Sequence, residues 1–81
     1  MENTVDQTIR QAMSDVLELP IEGIGDATMM ENTDTWDSLR HMELVMAIEE
    51  KLQVEFDSTE LMELVSLADI KRILAAKGVE V

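Results

Sequence analysis

The chain has 81 residues and carries 18 acidic against 6 basic side chains, a formal net charge of −12. That length gives a single domain over residues 1–81 with one core and little room for an enclosed substrate cavity. The charge repels nucleic acid and anionic membrane and favours basic protein surfaces, and the lack of cysteine excludes disulfides, thiolate metal sites and thiol catalysis.

Val5, Ile9, Met13, Val16 and Leu17 form a helical stripe. Thr4 and Gln7 read as a capping box, so the first helix runs from Thr4 to Leu17, and Pro20 closes it. Asp6 and Arg10 fall one turn apart and can pair. The opening MENTVDQTIR has no apolar leader core, and no run approaches the length of a membrane span. The expectation is a cytoplasmic monomer.

From Pro20 to Trp36 the connection takes 17 residues, long enough to be functional or packed. Gly23 and Gly25 permit turns, while Ile21, Ile24, Met29 and Met30 offer apolar anchors. The segment is expected to lie across the bundle with a short helical turn. Trp36 then precedes a helix start and can staple against His41, the fourth residue of the next helix. The alternatives are an anchor that holds the loop shut, or an indole that also borders a phosphate at the tip of that helix.

Asp37 is a good N-cap, which puts Ser38 at the first helical position. At helical spacing the following residues make two apolar faces. Leu44, Val45, Ile48 and Leu52 form one. Leu39, Met42 and Met46 form the other, bordered by Glu43, Glu49 and Glu50. Unpaired carboxylates are rarely buried and methionines suit surfaces that meet several partners, so the second face reads as a docking patch; plain core is the alternative. Ser38 lies between the faces at the positive end of the dipole, where a phosphate would be favoured. Position alone favours a plain helix-start serine, and a carrier role needs a more specific signal.

Beyond Leu52, Val54 and Phe56 should tuck into the core. Asp57 with Glu60 marks a short third helix through Leu61, Met62 and Leu64. Ser66 with Asp69 opens a fourth over Leu67, Ile70, Ile73 and Leu74. Gly78 fits its C-terminal stop, with Lys77 suited to the negative end of the dipole. The fold class is all-α, a four-helix bundle of three longer helices and one short, with the long loop between helices 1 and 2.

Asp37-Ser38-Leu39 followed by Glu43-Leu44-Val45-Met46-Ala47-Ile48-Glu49-Glu50 resembles the acyl carrier proteins, as do the length, the acidity, the long loop and the two short helices after the serine. The resemblance implies that Ser38 carries 4′-phosphopantetheine, transferred from coenzyme A by a phosphopantetheinyl transferase, with Asp37 and Leu39 flanking the attachment. It implies that the arm holds acyl intermediates as thioesters. It also implies that Leu39, Met42, Glu43, Met46, Glu49 and Glu50 meet partner enzymes with basic docking faces. Trp36, with Thr35 before it, departs from the Gly and small residue usual in fatty-acid-synthesis carriers and is similar to carriers of specialised pathways. An aminoacyl or peptidyl carrier is a second reading; an acidic helical adaptor without a prosthetic group is a third.

Two other chemistries fail on spacing. Asn32, Asp34 and Glu43 fit positions 1, 3 and 12 of a calcium loop, yet Trp36 and Asp37 occupy positions 5 and 6, where a ligand and a glycine belong. Ser38 has no strand-turn-helix elbow, and the sole histidine, His41, is on its own helix and nearer the core side. No catalytic or metal-ligating residue is assigned, and the chain reads as a non-catalytic carrier.

Overall fold

Four helices form among the described residues: α1 (Val5–Leu17), α2 (Ser38–Leu52), α3 (Ser58–Glu63) and α4 (Leu67–Ala76). The structure is a computed structural model and describes residues 4–79, so both ends of the single-domain expectation over 1–81 lie outside the described residues. The all-α expectation holds: three helices are longer and α3 is short.

Each helix starts where a side chain can take up a free backbone N–H. Thr4 Oγ1 accepts from Gln7 N–H at 3.0 Å, Asp37 from Arg40 N–H at 2.9 Å, and Ser66 from Asp69 N–H at 3.0 Å. Asp57 and Glu60 make the full reciprocal box. The stops are more varied. α4 ends on Gly78 at φ +94°, with Val79 N–H returning to the Leu74 carbonyl and Gly78 N–H to that of Ala75, the hydrogen-bond pair of a Schellman stop. α1 and α2 turn out through left-handed Glu18 and Gln53, conformations that cost a residue with a Cβ free energy. Helix α1 therefore stops before Pro20, on Glu18.

One apolar cluster fills the centre. α1 gives Ile9, Ala12, Met13 and Leu17, α2 gives Leu44, Val45 and Ile48, and α4 gives Leu67, Ile70, Ile73 and Leu74. Leu64, Phe56, Ile24 and Trp36 close it from the connections. Burying a side chain of this kind contributes roughly 1.5–3 kcal/mol, so a cluster of this size is what offsets chain entropy in so short a domain.

The long loop crosses the bundle as expected. It contains two 3-10 turns, Ile21–Gly23 and Met30–Asn32, and inserts Ile24 into the core. What fastens it is long-range. Met30 N–H donates to the Val65 carbonyl at 2.7 Å and Leu67 N–H to that of Thr28 at 3.1 Å, an isolated bridge between Met29 and Ser66. The Arg10 guanidinium donates to the Ile24 carbonyl. Lys71 of α4 reaches Asp6 on α1 at 3.1 Å and Asp26 in the loop at 3.0 Å. Arg10, hydrogen-bonded to Asp6, holds that carboxyl below the usual range, with Lys71 adding to it. Asp26 and Asp6 in turn raise Lys71.

Candidate functional site

The candidate site is the tip of α2. Asp37 has extended backbone and caps the helix by accepting from Arg40 N–H, and its carbonyl accepts the first intrahelical bond, from His41 N–H at 2.8 Å. That leaves the N–H groups of Ser38 and Leu39 without an intrahelical acceptor. Beside them the Ser38 side chain is exposed. An exposed hydroxyl next to two free donors at the positive end of a 15-residue helix fits a phosphodiester.

Ser58 makes an instructive contrast. It also follows an aspartate cap and opens a helix. But α3 has only six residues, its first turn carries Glu60, and that carboxylate occupies Asp57 N–H. A phosphate there would meet a weaker dipole and a negative neighbour.

The side chain of Arg40, the basic residue two positions from Ser38, points away from the tip. Its guanidinium donates to the Val16 carbonyl at 2.7 Å and pairs with Glu18 at 3.3 Å. It thus satisfies an orphan carbonyl at the end of α1. Trp36 is buried at 2% exposure, and its indole N–H donates to His41 Nδ1 at 3.1 Å. The expected staple to His41 is present, and the indole keeps no free donor for a phosphate. His41 also reaches the Leu61 carbonyl at 3.0 Å, so the imidazole joins the loop to α3.

The two faces of α2 separate as the spacing predicts. Leu44, Val45 and Ile48 are buried, whereas Leu39 is 68%, Met42 46% and Met46 62% exposed. Glu43 and Glu50 are exposed beside them. Glu49 differs from its neighbours: it is half-buried, and one carboxylate oxygen accepts from Phe56 N–H at 2.9 Å. Glu43, Met46, Glu49, Glu50 and Glu55 line a shallow acidic groove along this side. Sequence reasoning missed Met62, which is 80% exposed on α3, and Val65 just after it. The signal available was weak, since a six-residue helix shows too little periodicity to sort Met62 from buried Leu64.

Asn32, first position of the rejected calcium loop, is a structural residue. Its Oδ1 accepts from Met29 N–H and its amide donates to the Ala27 carbonyl. No cluster of metal-ligating side chains occurs among the described residues, and none of the described helices is long and apolar enough to cross a membrane.

A family model described as the phosphopantetheine attachment site matches residues 7–74. Among curated proteins, the acyl carrier protein of Campylobacter curvus is 48% identical over 42 residues, which is 52% of this chain and 54% of that protein. The match therefore spans about half the length of that relative.

Proposed function

The chain belongs to the phosphopantetheine attachment family, and from that premise we propose that it is an acyl carrier protein loaded on Ser38. The single observation that carries the assignment to Ser38 is its exposed hydroxyl at the capped tip of α2, beside two free N–H groups and an apolar, acid-bordered face. The 4′-phosphopantetheine arm supplies a terminal thiol that carries acyl groups as thioesters, chemistry this cysteine-free chain has no side chain to perform.

The chain's own residues prepare the loading step. Asp37 fixes the tip by holding Arg40 N–H, so Ser38 Oγ is presented on an ordered turn. Ser38 Oγ attacks the pyrophosphate of coenzyme A on a phosphopantetheinyl transferase. A serine–phosphorus bond forms, the phosphoanhydride bond breaks, the adenosine 3′,5′-bisphosphate leaves, and the hydroxyl proton passes to a base of the transferase. The free N–H groups of Ser38 and Leu39 favour the anionic product. Leu39, Met42 and Met46 give the transferase and later acyl-processing enzymes an apolar contact. Glu43 and Glu50 steer their basic faces, and Glu49 has the further task of holding Phe56 N–H. The pathways this supports are fatty-acid, polyketide or related biosynthesis, in the compartment that holds coenzyme A and the transferase, the cytoplasm.

The test is an intact mass after incubation with coenzyme A, magnesium and a broad-specificity transferase. One phosphopantetheine adduct is expected, lost in Ser38→Ala and kept in Ser58→Ala. An unmodified mass would favour an acidic helical adaptor, and an adduct that survives Ser38→Ala would move the site.

A further inference from the structure

Trp36 and His41 are the only tryptophan and the only histidine in the chain, and they are bonded to each other across the residues that carry the site. The indole N–H can only donate. His41 Nδ1, 3.1 Å away, must therefore be the acceptor, which puts the ring proton on Nε2. That N–H points at the Leu61 carbonyl, 3.0 Å away. Leu61 is among the last residues of α3, whose carbonyls have no intrahelical donor. So one neutral tautomer satisfies three elements at once: the loop through Trp36, α2 through the ring, and α3 through Leu61. The Trp36–His41 bond also closes a short ring over Asp37, Ser38, Leu39 and Arg40, the turn that presents the hydroxyl.

The geometry points to His41 as a positioning residue, a proton-sensitive latch that fixes the Ser38 turn and holds α3 beside it. A second proton on the imidazole turns Nδ1 from acceptor to donor, and two N–H groups then face each other. The buried indole N–H then loses its acceptor on His41. Of the charged groups on the surrounding elements, Arg40 is drawn away to Val16 and Glu18 and Glu60 is paired with Lys77. Asp34, Asp37, Glu43, Asp57 and Glu63 are exposed. Opening the latch unties Trp36 at the loop end from Leu61 on α3, and the tip of α2 loses its fixed approach. The role in loading rests on the reading of Ser38 given above; the latch itself does not.

The test follows the single histidine by nitrogen NMR and the single tryptophan by emission, from about pH 8 to about pH 5, in the whole chain and in His41→Gln and His41→Ala. Glutamine can accept from the indole and donate to Leu61 but does not titrate. The Nε2–H tautomer is expected at the upper pH, with wild-type emission shifting to the red as the ring takes its proton. H41Q should stay blue throughout and H41A red throughout. In the same proteins, the ratio of wild-type to H41Q loading by the transferase should fall roughly threefold or more over that range. An Nδ1–H tautomer, a flat wild-type emission profile or an H41Q that titrates like wild type would overturn the latch, and a constant loading ratio would overturn its role at Ser38. If no variant, wild type included, gains an adduct, the attachment reading fails and the NMR and emission profiles still decide the latch.

Discussion

Leu39 and Leu44 are the same residue on the same helix, and truncating each to alanine should give opposite phenotypes. Leu44 is 1% exposed within the core cluster. Leu44→Ala removes its packing and leaves a cavity, at a cost of about 3 kcal/mol. A domain of this length has a total stability of about 4–12 kcal/mol, so the loss is a large fraction of it and corresponds to a fall in Tm of roughly 10–20 °C. Leu39 is 68% exposed, so only about a third of its apolar area is removed from water. Its truncation should cost under about 0.7 kcal/mol, partly offset by the better helix propensity of alanine. Urea unfolding followed by Trp36 emission measures both, with an unchanged slope expected for L39A. Loading by the transferase should reverse the order. L39A keeps its fold but loses apolar contact in the encounter, and its kcat/KM should drop about tenfold, equivalent to about 1.4 kcal/mol. L44A, at a temperature where it is still folded, should load nearly as wild type. The division of α2 into core and docking faces is refuted if L39A destabilises as much as L44A, or if L39A loads at the wild-type rate.

Further outcomes follow from particular contacts and backbone conformations. The Asp6 carboxyl is held below its unfolded value by Arg10 first and then Lys71, so its contribution is present above about pH 4 and lost as pH falls through the lower folded value; Asp6→Asn should lower Tm near neutrality, with the gap closing in acid. Lys71 is raised by Asp26 and Asp6, so its contribution is full below about pH 10 and lost as pH rises through the higher folded value; Lys71→Met should be penalised at neutrality, by under about 1 kcal/mol for a partly exposed network, and converge with wild type in alkali. Left-handed Gln53 and Gly78 give a stability pair: Gln53→Gly should gain, and Gly78→Ala lose, about 1 kcal/mol by thermal melting. Reversing Glu43 and Glu50 to lysine should slow loading with an effect that fades at high salt, whereas Glu49→Gln should lower Tm through the weakened Phe56 N–H contact; a salt-independent defect in the reversed pair would count against steering.

How much of this was legible in the sequence depends on how far apart the interacting groups lie along the chain. The four helices, their caps at Thr4, Asp37, Asp57 and Ser66, the Gly78 stop and the two faces of α2 rest on residues within a few positions of one another. Such patterns are written locally in helical spacing and in the orphan groups at helix ends. The exposed Ser38 turn was legible for the same reason. Choices among equivalent local options were not. Asp37-Ser38 and Asp57-Ser58 look alike as caps, and what separates them is helix length and the position of Glu60. By spacing Glu49 is equivalent to Glu43 and Glu50, and only the chain folding back beyond Leu52 brings Phe56 N–H to it. Arg40 meeting the end of α1, Lys71 tying Asp6 to Asp26, the bridge at Met29 and Ser66 and the reach of His41 to Leu61 join residues far apart in sequence. Composition and periodicity carry no record of such pairs, because many distant donors and acceptors are chemically interchangeable. Only the packing of the helices around one core selects which of them meet.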